Sequence, residues 1–147
     1  MGTLRTPTIV LAAVIGLLGA CGDDEAGMTA DEYRDSGNQI CRDADAAVSA
    51  AIPDEEPTLT MARTELAPQL VEALSGIREE LDGLSPPRSL ERDHKQLLAA
   101  FDSATTTLER AIEDVALMEQ VLAEGPPLDE IGSLAAKLGL AACTGEG

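Results

Sequence analysis

LERDHKQLLAAFDSATTTLERAIEDVALMEQVLAE, residues 90–124, decides the fold. Leu90, His94, Leu97, Phe101, Ala104, Leu108, Ile112, Val115 and Leu122 recur at steps of three, four or seven, which sets them along one stripe of an α-helix. The stretch holds neither glycine nor proline, so the spacing predicts one unbroken helix of about ten turns. Its softest part is Thr105-Thr106-Thr107, where β-branching lowers helix propensity. Gly83-Leu84-Ser85-Pro86-Pro87 before it and Gly125-Pro126-Pro127 after it read as tight interhelical turns.

Outward from this helix the same period continues on both sides. A second helix is expected from about Thr58 to Leu84, with Leu66, Leu70, Leu74, Ile77, Leu81 and Leu84 as its seam. Pro68 either kinks it near Ala67 or marks where its strong part begins. Thr29-Ala30-Asp31-Glu32 has capping-box spacing and opens a first helix whose stripe is Tyr33, Gly37, Ile40, Ala44, Ala47 and Ala51. Pro53 stops it, and residues 53–57, with two prolines, form a turn. A short last helix, about Leu128 to Leu138, presents Leu128, Ile131, Leu134, Ala135 and Leu138, with Gly139 at the left-handed C-cap and apolar Leu140 after it. No segment alternates like a strand. The expected fold is all-α, an antiparallel up-down bundle of three long helices plus a short fourth, closed by one disulfide.

The N-terminus reads as an address. Arg5 precedes an apolar run from Ile9 to Leu18, about half the ~20 residues that a membrane-spanning helix needs. The run ends in Leu18-Gly19-Ala20-Cys21, which resembles a bacterial lipobox. The resemblance implies cleavage before Cys21 and attachment of a diacylglyceryl group to its thiol. Residues 1–20 are then a lipoprotein signal peptide and residues 21–28, with three acids and two glycines, a lipidated flexible tether. Residues 29–147 form the bundle domain, with no room for a second domain. Two acyl chains on Cys21 meet the two-signal requirement for stable anchoring. The expected location is the outer, extracytoplasmic face of the cell membrane.

Charge narrows the partners. The chain carries a net charge of −17, and loss of residues 1–20 removes Arg5 and no acid, so the mature form is more acidic still. Such a surface repels phosphate backbones and anionic headgroups, which excludes nucleic acid and leaves the lipid on Cys21 to hold the membrane. With Cys21 lipidated, Cys41 and Cys143 are the two cysteines left, and outside the cytoplasm they are expected to form a disulfide. Helix lengths agree with that bridge if residues 140–143 are extended and descend by ~13 Å from the end of the last helix to the level of Cys41.

Tyr33 and Ile40-Cys41 in an early helix, the Leu81-Asp82-Gly83-Leu84-Ser85-Pro86-Pro87 turn, and Leu138-Gly139-Leu140 shortly before Cys143 resemble a group of small helical lipoproteins of high-GC Gram-positive bacteria. The resemblance implies an extracytoplasmic, lipid-anchored, disulfide-linked bundle. It carries over no catalytic residue and no ligand, since the group has no established function.

The chemistry on offer is sparse. Glu91-x-x-His94 has the spacing of a di-iron helix, but the site needs two such motifs and this chain has one histidine. His94 is expected to pack on the seam between Leu90 and Leu97, where leucine would serve as well or better; its alternative role is a ligand contact or pH-sensitive group. Ser85, Ser89 and Ser103 sit in no nucleophile elbow, and the carboxylates of Asp54-Glu55-Glu56, Glu79-Glu80 and Asp129-Glu130 belong to turns or polar faces. One Tyr and one Phe offer no sugar platform. No catalytic residue, cofactor or metal site is expected. The leading expectation is a protein-interaction or structural module that meets an unknown envelope protein. The alternative is a carrier or sensor for a small ligand, an apolar molecule or a metal ion, held in a gap lined by alanines and His94. An enclosed cavity above ~300 Å³ would favour the carrier.

Overall fold

The computed structural model describes residues 27–51 and 57–145. The expected signal peptide, the lipobox-like stretch with Cys21, nearly all of the expected tether and most of the expected turn at residues 53–57 lie outside the described residues. All regular structure among the described residues is helical: α1 Ala30–Ala51, α2 Leu59–Met61, a π-helical segment Ala62–Leu66, α3 Ala67–Asp82, α4 Glu91–Glu113, α5 Val115–Glu124, α6 Asp129–Leu138 and a 3₁₀ turn Ala141–Cys143.

Local chemistry fixes where these elements start and stop. Thr29 and Glu32 close the expected capping box: the Glu32 amide donates to Thr29 Oγ1 at 3.2 Å, and the Thr29 amide donates to Glu32 Oε2 at 2.9 Å. The Thr29 amide and the Thr29 hydroxyl both donate to Glu32 Oε2, each at 2.9 Å, and together hold the Glu32 carboxyl below the usual range. Thr58 caps α2 by accepting from the Met61 amide. Pro68 then falls in the first turn of α3, where its missing amide costs least. The five residues before α3 widen into a π turn, and the Ala67 amide reaches back to the Ala62 carbonyl. The backbone therefore stays helical from Leu59 to Asp82, and the irregularity expected near Ala67 takes the form of this π turn. At the other end Gly139, at φ 80°, reverses the chain while its amide and that of Leu140 bond the carbonyls of Ala136 and Ala135, the Schellman pair.

The core follows the stripes. Tyr33, Leu74, Leu81, Leu97, Phe101, Ala104 and Leu108 meet Ile131, Ala135, Leu138 and Leu140 in one cluster. Gly37 lets Leu140 approach α1 so closely that a Cβ there would sit 2.7 Å from its Cδ2. Neighbouring helices run antiparallel: Met28 at the start of α1 bonds Ser85 beyond the end of α3, Arg78 of α3 pairs with Asp102 of α4, and Lys137 of α6 pairs with Asp93 of α4.

Two expectations are corrected. The long third helix is not unbroken, because Asp114, at φ −108° and ψ 110°, leaves the helix and caps a new one. Its Oδ1 accepts from the Ala116 and Leu117 amides at 2.9 and 3.2 Å. The break shifts the helical phase: Met118 is buried, while Val115 and Leu122, expected on the seam, are exposed. The second correction concerns residues 140–143, which neither extend nor descend. Arg34 Nε donates to the Leu138 carbonyl, Asn38 donates to that of Gly139 and accepts from the Ala142 amide, and Cys41 is bonded to Cys143. Partners thus advance together along α1 and the tail, so the chain turns back at Gly139 and runs with α1 through the 3₁₀ turn. The disulfide is formed between the expected residues by a different route.

Candidate functional site

His94 and the helix gaps are the two places where this chain could do something other than pack. His94, on α4, is 5% exposed, and its only side-chain hydrogen bond among the described residues is to Tyr33, which is fully buried on α1. The Tyr33 hydroxyl lies 2.9 Å from His94 Nδ1, with the rings edge to face at 5.5 Å. Burial pushes the imidazole below its ordinary value of 6.5, with Asp82 pulling it up and Lys95 down. Burial also pushes the phenol up to about 12. Both groups are therefore neutral at pH 7, and since the buried Tyr33 hydroxyl has no other partner among the described residues, its O–H donates to Nδ1 in the tautomer that carries the ring proton on Nε2. None of Ser85, Ser89 and Ser103 is hydrogen-bonded to the ring, and Glu91 is exposed. The pair is a polar tie between two helices, with no reacting group attached.

Next to it Asp93 anchors Lys137 at 3.0 Å, and that hydrogen bond holds its carboxyl below the usual range. Glu79, Glu80, Asp129 and Glu130 are exposed, and Asp54, Glu55 and Glu56 lie outside the described residues. Among the described residues no three His, Cys, Asp or Glu side chains gather as metal ligands, and no helix is long and apolar enough to cross a membrane.

The helix gap lies at the other end of the bundle. An apolar groove of about 680 Å³ opens between the π segment and α3 on one side and α4 and α5 on the other. Ala62, Leu66, Ala67, Leu70 and Ala73 form the first wall. Leu108, Met118, Val121 and Leu122 form the second, and Pro126 and Leu128 also line the groove. Ala47 of α1 reaches its edge. The groove exists because Ala47, Ala62, Ala67 and Ala73 stand where longer side chains would fill the space. The break at Asp114 sets the second wall, since α5 starts a new phase there and offers Met118 and Val121 to the groove.

A peptide carbonyl pins the two walls together. Arg63, on the π segment, donates from Nε and Nη2 to the Ile112 carbonyl at 2.8 and 2.6 Å, near the point where α4 ends. Neither this clamp nor the Asp114 cap was found from sequence. An Asp inside a helical stretch, a residue type that prefers the cap, was the available signal. Four alanines line the groove, but it is not the expected gap of alanines with His94: His94 lies fourteen residues from Leu108 on α4, about 21 Å along the helix.

No protein-family model matches this chain, nor does any curated protein or solved structure.

Proposed function

We propose that the mature protein is a lipoprotein of the outer face of the cell membrane, anchored through Cys21, whose groove carries a small apolar molecule. The apolar groove carries this reading. It is an open groove and not the enclosed cavity expected of a carrier, but at about 680 Å³ it lies within the ~300–1,000 Å³ of small-molecule sites, and its walls are built from aliphatic side chains. The apolar run ending in Leu18-Gly19-Ala20-Cys21 supports the anchor, and the anchor keeps the groove beside a source of apolar molecules. None of the described lining residues forms a nucleophile with a base beside it, and the proposed role is binding.

The test is uptake of an uncharged naphthylamine dye by the mature protein. Saturable fluorescence enhancement is expected. Ala73→Phe, which fills the groove, and Leu122→Gln, which makes its exposed wall polar, should each weaken uptake by about tenfold or more, with helical circular dichroism unchanged. Absence of saturable uptake, or uptake indifferent to both changes, would overturn the carrier reading. For the anchor, Cys21→Ser should move the protein out of the membrane fraction or leave it uncleaved. Wild-type protein recovered from cells unlipidated would defeat that part.

One observation favours the interaction-module reading instead. Val115 and Leu122 are 44% and 43% exposed, two turns apart on one face of α5. If crosslinking of the lipidated protein in cells captures an envelope protein through this face, and Val115→Glu abolishes the capture, the module reading takes precedence.

A further inference from the structure

The groove is almost wholly aliphatic, and its two polar lining side chains sit close together. Gln69 and Glu72 are three residues apart on α3, so they lie on the same helix face. Both are exposed, which places them at the rim, and among the described residues neither side chain makes a hydrogen bond or an ion pair. Any amphiphile with its tail in the groove therefore has one polar patch within reach of its head, an amide beside a carboxylate.

Among the described residues no cation answers that carboxylate, since no Lys or Arg lines the groove. Arg63 is spent on the Ile112 carbonyl, Arg78 on Asp82 and Asp102, Arg34 on Asp31, and Lys137 on Asp93. The link from α1 to α2 brings no help, since residues 52–58 carry three acids and no base. A carboxylate-headed chain would meet Glu72 and the net −17 of the molecule, whereas an ammonium head would meet an acceptor amide and an unpaired carboxylate.

We propose that the groove selects amphiphiles by the charge of the head, holding an ammonium-headed chain at Gln69 and Glu72 and turning away the carboxylate-headed one. This rests on the carrier reading above and adds the chemical class of the ligand. The pair is at the surface, so the selectivity is moderate and weakens with salt, whose screening length is about 10 Å at 0.1 M.

Three single-chain amphiphiles of equal length test it: an alkyltrimethylammonium, an alkanol and an alkanoate. Each displaces the uncharged dye from the mature protein, below its micelle concentration and at low salt. The ammonium compound should bind best and the carboxylate worst, with about tenfold between them. Glu72→Gln should narrow that gap and Glu72→Lys should invert it. Asp35→Lys changes the net charge as much as Glu72→Lys, but it lies twelve residues before Ala47, about 18 Å along α1, and should leave the order intact. Equal affinities, or an order that Glu72→Lys leaves unchanged or Asp35→Lys inverts, would overturn the head-charge proposal while the carrier reading stands. If none of the three displaces dye and no dye is taken up, both fall together.

Discussion

A histidine on the apolar stripe of a helix is tolerable here because one partner satisfies it. Tyr33 and His94 are both buried, and their 2.9 Å contact joins α1 to α4 across sixty-one residues of chain. From sequence alone His94→Leu looked harmless, since leucine fits the stripe. The structure reverses that expectation, because leucine would leave the fully buried Tyr33 hydroxyl without an acceptor. We expect His94→Leu to cost about 1–3 kcal/mol, Tyr33→Phe to cost a similar amount, and the double variant to cost less than the sum. Urea titration of the four proteins decides it, and a neutral His94→Leu would show that the bond contributes nothing. The same pair makes stability depend on pH. The folded imidazole is held below 6.5, so the unfolded chain takes up a proton first as pH falls. The contribution of His94 is fully present above pH 6.5 and is lost as pH drops from there through the lowered folded value. His94→Leu should lack that step. Sequence placed His94 on the stripe but could not find Tyr33, since the contact depends on how two helices are packed.

Helix boundaries written in local chemistry were legible, and those set by competition were not. Thr29 with Glu32, Gly125 and Gly139 each have one dominant reading, and each sits where it was expected. Asp114 was harder: it occupies a polar position of an otherwise continuous pattern, and both a ten-turn helix and a capped break fit the spacing. The break wins with help from outside the helix, since Arg63 satisfies the Ile112 carbonyl near the end of α4. Arg63 in turn projects from a π turn that precedes Pro68, so two irregularities in different segments support each other. Asp114→Ala removes the acceptor for the Ala116 and Leu117 amides and should destabilise by about 1 kcal/mol, with Asp114→Ser close to wild type. The groove should respond as well, because α5 would lose the cap that fixes the phase of Met118 and Val121. Thermal melts of both variants, read alongside dye uptake, separate the two effects. An Asp114→Ala protein with unchanged melting and unchanged uptake would mean that Arg63 alone holds the break.

At the scale of the whole molecule, the last turn of chain closes the bundle. The all-α class was readable because the stripes are long and leave no strand-like alternation, and the cysteine pairing was readable on the expectation that Cys21 carries lipid, which leaves two of the three thiols and one bond. The path of the tail was not. Its expected descent assumed a straight third helix that would carry α6 too high, and the break at Asp114 removes that assumption. Leu138 instead ends beside Arg34, and the chain climbs along α1 to Cys143. Leu140 is fully buried on the way, and Arg34, Asn38 and Gly37 receive the rest of the segment. These contacts hold the tail locally, but only the disulfide restricts the unfolded chain. Its 102-residue separation is worth ~4 to 5 kcal/mol in the chain-entropy model. The core that it supports contains one Phe, no Trp and several alanines, so little aromatic area substitutes for the bridge. Reduction should therefore lower the melting temperature by ~15 °C or more, and Cys41→Ala with Cys143→Ala should match the reduced wild type. If both proteins instead melt like the oxidised form, the Tyr33–His94 bond, the Schellman turn and Leu140 packing suffice to close the bundle, and the disulfide serves some end other than stability.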